Sequence, residues 1–467
     1  MEVKKILAKL HLKKQTYKVY KTGLPFYDVT RLIGVAHLFF GTASAEIEDK
    51  GTYWEVNGVD VERDEEQIKW IIKRLKPTKK EESIFLRKNN FAWEELQKYF
   101  AEINKKGRKV ELKAEYDVAL QIGTRGYDPL RDYRILAPRS TGVREKKFFA
   151  PFQEVAAATL GRAFAATVIS RTKRQREEIY ILPIFSSHIV LSGFLNYKRS
   201  YQHSGGGFVA SVCAAISILL DLTSRKIPVV DFVYTKEVKA GNQPVFSESG
   251  YLGFEKLCNL WWKAVEENNE RRLEILRQIK SFLENTAQQG TDNQNQNLAM
   301  ALADFTVTMN VDSLCIIQKL KARILASQQN VYPSINLFKS KNDIEEVRKM
   351  LDLDLPAVPW EVSQALAKAM ELDKKGWMNQ FTRLENATNF SQFINYVEHI
   401  ISRGYYRELQ EKENPDIRLA MNKARELANS LRELHDSLAD EKKFRAWRAI
   451  FLLDVLSKMK FRQEGGE

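Results

Sequence analysis

The spacing of apolar residues changes once along this chain, near Tyr251, and that change limits the fold more than any other feature. Before it, short β-branched runs alternate with helical stretches and with loops punctuated by Gly and Pro. After it, the periodic segments have helical spacing, as in Leu273, Leu276, Ile279 and Leu283 with charges between them. Such a chain is α+β, a mixed basic N-terminal body followed by an all-helical bundle. Its 467 residues allow two or three domains, each with its own core. The expected divisions are a mixed α/β nucleic-acid-binding body over 1–250, a helical extension over 251–355 and a C-terminal helical bundle over 356–467. The last opens at Pro356 and Pro359.

Within the body, 52–61 reads as a hairpin turning at Asn57-Gly58, a pair suited to the left-handed positions of a type I′ turn. A helix is expected at 65–75 and a strand at 110–120. The Ala-rich stretch 152–170 reads as one helix. The runs 179–185 and 188–194 read as buried strands, 208–222 as a strongly apolar helix, and 228–238 as a strand leaving through a basic turn at 236–244. In the helical part, 288–297 reads as a solvated loop. Phe390, Phe393, Ile394, Val397 and Ile401 form one stripe. Asn414-Pro415 starts a helix with Ile417, Met421, Ala424, Leu427, Leu431 and Leu434 inward. Asp440 caps a last helix whose Phe444, Trp447 and Phe451 share a face and belong to the core. Lys443, Arg445 and Arg448 fall between them and are expected to project outward.

Charge decides the function class. Lys and Arg number 73 against 60 Asp and Glu, a formal net charge of +13, most of it before Pro356. No catalytic apparatus accompanies that bias, and a chain of this kind holds a polyanion rather than transforms one. The cations gather in three loops. The first, at 123–147, carries Arg125, Arg134, Arg139 and Arg144. The second, at 171–176, carries Arg171 and Arg174. The third, at 196–207, carries Asn196, Lys198, Arg199 and Gln202 among tyrosines and ahead of Gly205-Gly206-Gly207. Guanidinium and ammonium groups neutralise phosphate, amides read base edges, and glycine lets backbone approach a ligand closely.

Other chemistries find less support. Cys213, Cys258 and Cys315 are far apart in apolar surroundings, which suits buried thiols in a reducing cytoplasm and not a zinc site. No cofactor or metal is expected. Ser186-Ser187-His188 lacks the Gly-x-Ser-x-Gly elbow of a hydrolase. No Lys-Ser/Thr pair follows the three glycines, as a nucleotide-hydrolysing loop requires. Glu237 and Lys239 suggest a nuclease pair, yet one carboxylate does not hold a catalytic magnesium. No run of eighteen apolar residues marks a membrane span, and Met1-Glu2-Val3-Lys4-Lys5 lacks a signal-peptide core.

One family matches this layout. Thr22-Gly23-Leu24-Pro25-Phe26-Tyr27-Asp28-Val29 precedes an apolar Gly-containing helix, Tyr234-Thr235-Lys236-Glu237-Val238-Lys239 sits in a basic body, and a compact helical segment closes the chain. In these the chain resembles, over nearly its full length, the large subunit of CRISPR type I Cascade complexes, nearest the subtype I-A/I-B branch. The resemblance implies a subunit that is not an enzyme. It would cap a crRNA-guided complex, recognise the protospacer-adjacent motif in double-stranded target DNA, help open the duplex and stabilise the displaced strand. The implied partners are crRNA, target DNA, the backbone subunits, the 5′-handle-binding subunit and the small subunit, with a helicase–nuclease or transposition proteins recruited later. The C-terminal segment resembles that small subunit, and a fragment starting at Met370 or Met378 is expected to fold by itself. Some members of the branch carry paired CxxC zinc motifs. This chain has none, which excludes the zinc-bound subgroup. Two other readings stay open: a divergent metal-dependent nuclease using Glu237 and Lys239, and an RNA-only ribonucleoprotein scaffold.

Overall fold

A computed structural model describes residues 14–22, 25–39, 46–59, 117–120, 148–171, 176–185, 189–190, 200–203, 207–240, 243–288, 293–327, 338, 340–373, 376–411 and 417–459. The chain forms two compact units, Met1–Trp262 and Lys263–Glu467. The first mixes sheets with helices and the second is helical among its described residues, so the fold is α+β.

The first unit runs β1 (Lys14–Tyr20), α1 (Pro25–Phe39), β2 (Glu46–Asp49), β3 (Tyr53–Val59), β4 (Asp117–Leu120), β5 (Phe148–Pro151), α2 (Phe152–Gly161), β6 (Ala166–Arg171), β7 (Arg176–Phe185), β8 (Ile189–Val190), β9 (Ser200–His203), α3 (Gly207–Leu222), β10 (Val229–Ala240) and β11 (Gln243–Tyr251), and the boundary falls within α4 (Glu255–Glu266). Among the described residues these strands form three sheets, ordered β1-β3-β2-β8, β11-β10-β7-β6-β9 and β4-β5. In the five-stranded sheet all neighbours are antiparallel except β6 and β9, which run parallel. Successive residues of β7, Ile179 to Leu182, are all buried, so both faces of the sheet centre are covered. α1 packs over β7, β10 and β11, and α3 over β6, β7 and β9.

α3 owes its place to composition: 12 of its 16 residues are buried. With the turn after it, residues Gly207–Arg225 are long and apolar enough to cross a membrane, with a mean hydropathy of 1.8 over an 18-residue window. Here 67% of that window is covered by protein, the environment of a core helix. α1 begins where proline is tolerated, with Pro25 in its first turn. Asp28 accepts from the Thr22 amide at 2.8 Å and its hydroxyl at 2.7 Å, with Arg31 at 3.4 Å. α1 and α2 touch backbone to backbone. A Cβ on Gly34 would lie 1.8 Å from the Ala157 carbonyl oxygen, and one on Gly161 the same distance from that of Thr30.

Several expectations change. Asn57-Gly58 is not a turn. Asn57 pairs with Thr16 on one side and Glu46 on the other, inside β3. The turn falls at Gly51, whose φ of +83° suits glycine and whose amide donates to Asp49 at 2.8 Å. The Ala-rich run is not one helix: α2 stops at Gly161, a short 3-10 turn follows, and β-branched Thr167-Val168-Ile169 continue as β6. Lys236 to Lys239 belong to β10 rather than to a turn. Val229–Ala240, Arg176–Phe185 and Gly207–Leu222 are strand, strand and helix as expected. The 65–75 helix lies outside the described residues.

The second unit contains α5 (Glu270–Gln288), α6 (Asn293–Thr308), α7 (Val311–Ser327), α8 (Lys341–Met350), α9 (Trp360–Glu371), α10 (Trp377–Glu385), α11 (Phe390–Glu411), α12 (Ile417–Arg432) and α13 (Glu441–Lys458). The expected loop at 288–297 is therefore helical from Asn293 onward. α13 is its central element. Asp440 caps it by accepting from the Lys443 amide at 2.8 Å. Phe444, Trp447 and Phe451 are buried and meet Phe390 and Phe393 of α11 edge-on. α7, α8, α9 and α10 cover other sides of α13, which explains why Ala449 to Leu456 are all buried. Its end is pinned to α9. Lys458 lies 3.2 Å above the Trp360 ring, donates to Asp454 at 2.6 Å, and contacts the Ser363 hydroxyl. Burial lowers the Lys458 pKa, against the opposing effect of Asp454. On α12 the inward residues are Ala420, Ala424, Ala428 and Leu431, whereas Met421 is 45% exposed. Three alanines let the α12 backbone approach α11 closely and leave the methionine at the rim.

Candidate nucleic-acid interface

The parallel pairing of β6 with β9 is the organising feature. Thr167 pairs with Ser200, Ile169 with Gln202 and Ser170 with His203. The carboxyl ends of these strands, far apart in sequence, therefore lie side by side. The β6–β7 hairpin turns at that same end, with Arg171 opposite Arg176. β10 runs antiparallel to β7, so its last rungs come there too. Glu237 faces Glu178, Val238 faces Glu177, and Lys239 faces Pro244 of β11. One end of the five-stranded sheet thus gathers Arg171, Arg176, Gln202, His203 and Lys239 by register, with Glu177, Glu178 and Glu237 between them.

α3 adds its amino terminus. Only residues 204–206 separate His203 from Gly207, a reach of at most about 14 Å. A helix of this length carries partial positive charge and free amides at its start, and these favour phosphate. Phe208, in its first turn, is 39% exposed.

Inside the sheet the rungs are held by a buried polar cluster. The Arg162 guanidinium stacks 4.1 Å from the Tyr180 ring, and the Tyr180 hydroxyl donates to Glu178 at 3.0 Å. Arg162, Tyr180 and Glu178 are each at most 5% exposed. β10 is anchored at its other end by Asp231, which accepts from the Phe254 amide at 2.7 Å and the Gly253 amide at 3.3 Å ahead of α4. Burial holds the Asp231 carboxyl above the usual aspartate value, and the amides offset part of that rise.

Of the residues expected to bind nucleic acid, two are described. Gln202 is one rung from the end of β9, and Arg171 closes β6. Asn196, Lys198, Arg199, Arg125, Arg134, Arg139, Arg144 and Arg174 lie outside the described residues, although Ser200, next to Arg199, pairs with Thr167. Arg176, His203 and Lys239 share the sheet end and were not picked out as a group from the sequence, because strand register leaves no local signature. The suspected nuclease pair gains a neighbour. In backbone register Glu237 pairs with Glu178, whose buried carboxylate accepts from Tyr180. Among the described residues no group of three or more His, Cys, Asp or Glu could hold a metal ion.

Of the three α13 cations Arg445 and Lys443 face outward as expected, and Arg448 does not. Arg445 is exposed but paired with Asp312 at 2.5 Å. Lys443 lies 4.0 Å from Asp354. Arg448 turns inward, bonding the Ala387 carbonyl and covering the Phe444 ring at 5.2 Å, and burial lowers its pKa. The Ala387 carbonyl and the Phe444 face outcompete water for this guanidinium. The three cysteines are buried, and burial pushes the Cys258 thiol far up, so it is not a nucleophile.

In comparison with known proteins, no family model matches the chain and no curated relative matches it.

Proposed function

We propose that this protein is the non-catalytic large subunit of a crRNA-guided DNA surveillance complex, recognising the protospacer-adjacent motif in duplex DNA and stabilising the opened target. The observation that supports the reading is the parallel β6–β9 register, which puts Gln202 and His203 of the third segment, Arg171 and Arg176 of the second, and the approach to α3 at one sheet end. Phosphate contacts there would fix the duplex, and Gln202 with Asn196 would read base edges, each bidentate pair worth roughly 1–3 kcal/mol of discrimination. Guide pairing would supply the remaining specificity. The test is to recover the tagged protein from its own cells and sequence the bound RNA. Repeat-derived guide RNA with several co-purifying subunits is the expected result. RNA of mixed cellular origin would favour the ribonucleoprotein-scaffold reading instead.

A nuclease is the second reading, favoured by the pairing of Glu237 with Glu178. It requires that the purified protein cleave DNA with Mg²⁺ and that Glu237→Gln abolish cleavage. The large-subunit reading expects no cleavage by either.

A further inference from the structure

The geometry points to a nucleotide-binding groove between α11 and α12, on the helical unit and independent of the sheet end. The two helices run antiparallel: Glu398 of α11 meets Arg425 and Arg432, while Tyr405, further along, lies 5.7 Å from Lys423. Between them is an open groove of about 470 Å³, lined chiefly by Asn395, His399, Ser402, Arg403, Tyr406 and Met421. That volume lies within the range of small-molecule sites.

The lining matches the parts of a nucleotide. Tyr406, half-buried, and Met421, exposed at the rim, offer an aromatic and a thioether wall for the flat face of a base. Asn395 brings a donor and an acceptor for its edge, and the Ser402 hydroxyl, which donates to the Glu398 carbonyl at 2.8 Å, keeps a free acceptor. Arg403 and His399 are exposed, and neither makes a hydrogen bond or ion pair among the described residues, so both can turn toward a phosphate. The one carboxylate in the lining, Glu398, is matched by Arg432 at 2.5 Å and Arg425 at 3.7 Å.

The edge of the groove extends the site. Arg418, Asn422, Arg425, Asn429 and Arg432 follow one another at four- and three-residue intervals on α12, and all five are exposed. They form a rail about 21 Å long, with an arginine every 10 Å or so. Glu426 and Glu433 flank the rail on the side away from the groove. Arg425 and Arg432 share the single carboxylate of Glu398, which leaves this edge net positive, and such an edge beside a base-sized groove suits an unpaired nucleotide, either free or within a single strand whose backbone follows the arginines.

The test uses the full chain with two probes: 5′-AMP, and a fluorescent single-stranded 20-mer of mixed sequence containing 4-thiothymidine. Ultraviolet crosslinking of the 20-mer should label peptides of α11 or α12. Tyr406→Ala should weaken that crosslink about tenfold through lost stacking. Arg403→Ala should weaken it and flatten its log–log salt dependence by about 0.7. Arg403 is exposed, so this variant serves even where Tyr406→Ala disturbs folding. Displacement of the 20-mer from the groove by 5′-AMP assigns the site to a free nucleotide; displacement by unlabelled 20-mer alone assigns it to a strand. Labelling confined to residues outside 390–432, or a groove crosslink unchanged by Arg403→Ala in yield and salt slope, overturns the proposal.

Discussion

Cutting the chain within its helical half tests how α13 is held. A fragment starting at Met378 keeps α10 without the buried Trp377, and α11 and α12, but loses α7, α8 and α9. Arg445, paired with Asp312, marks the side of α13 turned to α7, and Ala449, Leu452 and Leu456 follow it at helical spacing. Leu452 and Leu456 are at most 2% exposed. Returning both to water costs about 3–6 kcal/mol. Asp454 and Lys458 also lose Ser363 and the Trp360 carbonyl, and a buried polar group stripped of partners costs about 1–3 kcal/mol. The sum, about 4–9 kcal/mol, is comparable to the whole stability of a typical domain, about 5–15 kcal/mol. The 378–467 fragment should therefore melt without a cooperative transition by circular dichroism, whereas 263–467 should melt sharply. A sharp transition in the shorter fragment would refute this account and restore an independently folding C-terminal bundle.

Other outcomes follow from single features. Gly34→Ala or Gly161→Ala drives a methyl into a backbone carbonyl, and each should cost about 1–3 kcal/mol, read as a lower urea midpoint. Asp231 titrates above the usual aspartate value of about 3.9, so the folded state holds its proton more tightly than the unfolded chain. The stability of the native protein relative to Asp231→Asn should be greatest at low pH and fall as pH rises through the folded-state value; a flat difference from pH 3.5 to 7.5 would contradict this. Replacing Arg171 and Arg174 by alanine should weaken duplex binding across sequences and lower the log–log salt slope by about 0.9 per lost contact, in titrations at several salt concentrations. Gln202→Ala should instead relax the preference for one short motif.

The helical half was legible because a 3.6-residue period survives in local sequence. Leu273, Leu276, Ile279 and Leu283 are buried as their spacing requires, and so are Phe444, Trp447 and Phe451. The strands were legible only where apolar runs are unambiguous, as in β7 and β10. β6 was hidden because the alanines of α2 run into it without a break in polarity, and the end of α2 is set by a close approach to Thr30 that no local pattern encodes. Asn57-Gly58 misled because its turn propensity yields to pairing on both sides. The inward turn of Arg448 depends on a carbonyl 61 residues away. For the site, the residue types of the third loop were readable, but the meeting of Arg171, Arg176, Gln202, His203 and Lys239 depends on register between distant strands.

The strand order also sets a timetable for synthesis. α1 is complete at Phe39, yet β10 and β11, on which it packs, end only at Tyr251. At translation speeds of about 5–20 residues per second, roughly 10–40 seconds pass before these partners emerge. α2 arrives at Gly161 and can shelter one side of α1 meanwhile. β10 then adds beside β7 and β11 beside β10, so the sheet is completed from that edge last. A ribosome stalled between these points would hold an exposed apolar helix, which makes the first unit a natural client for chaperones that bind nascent chains.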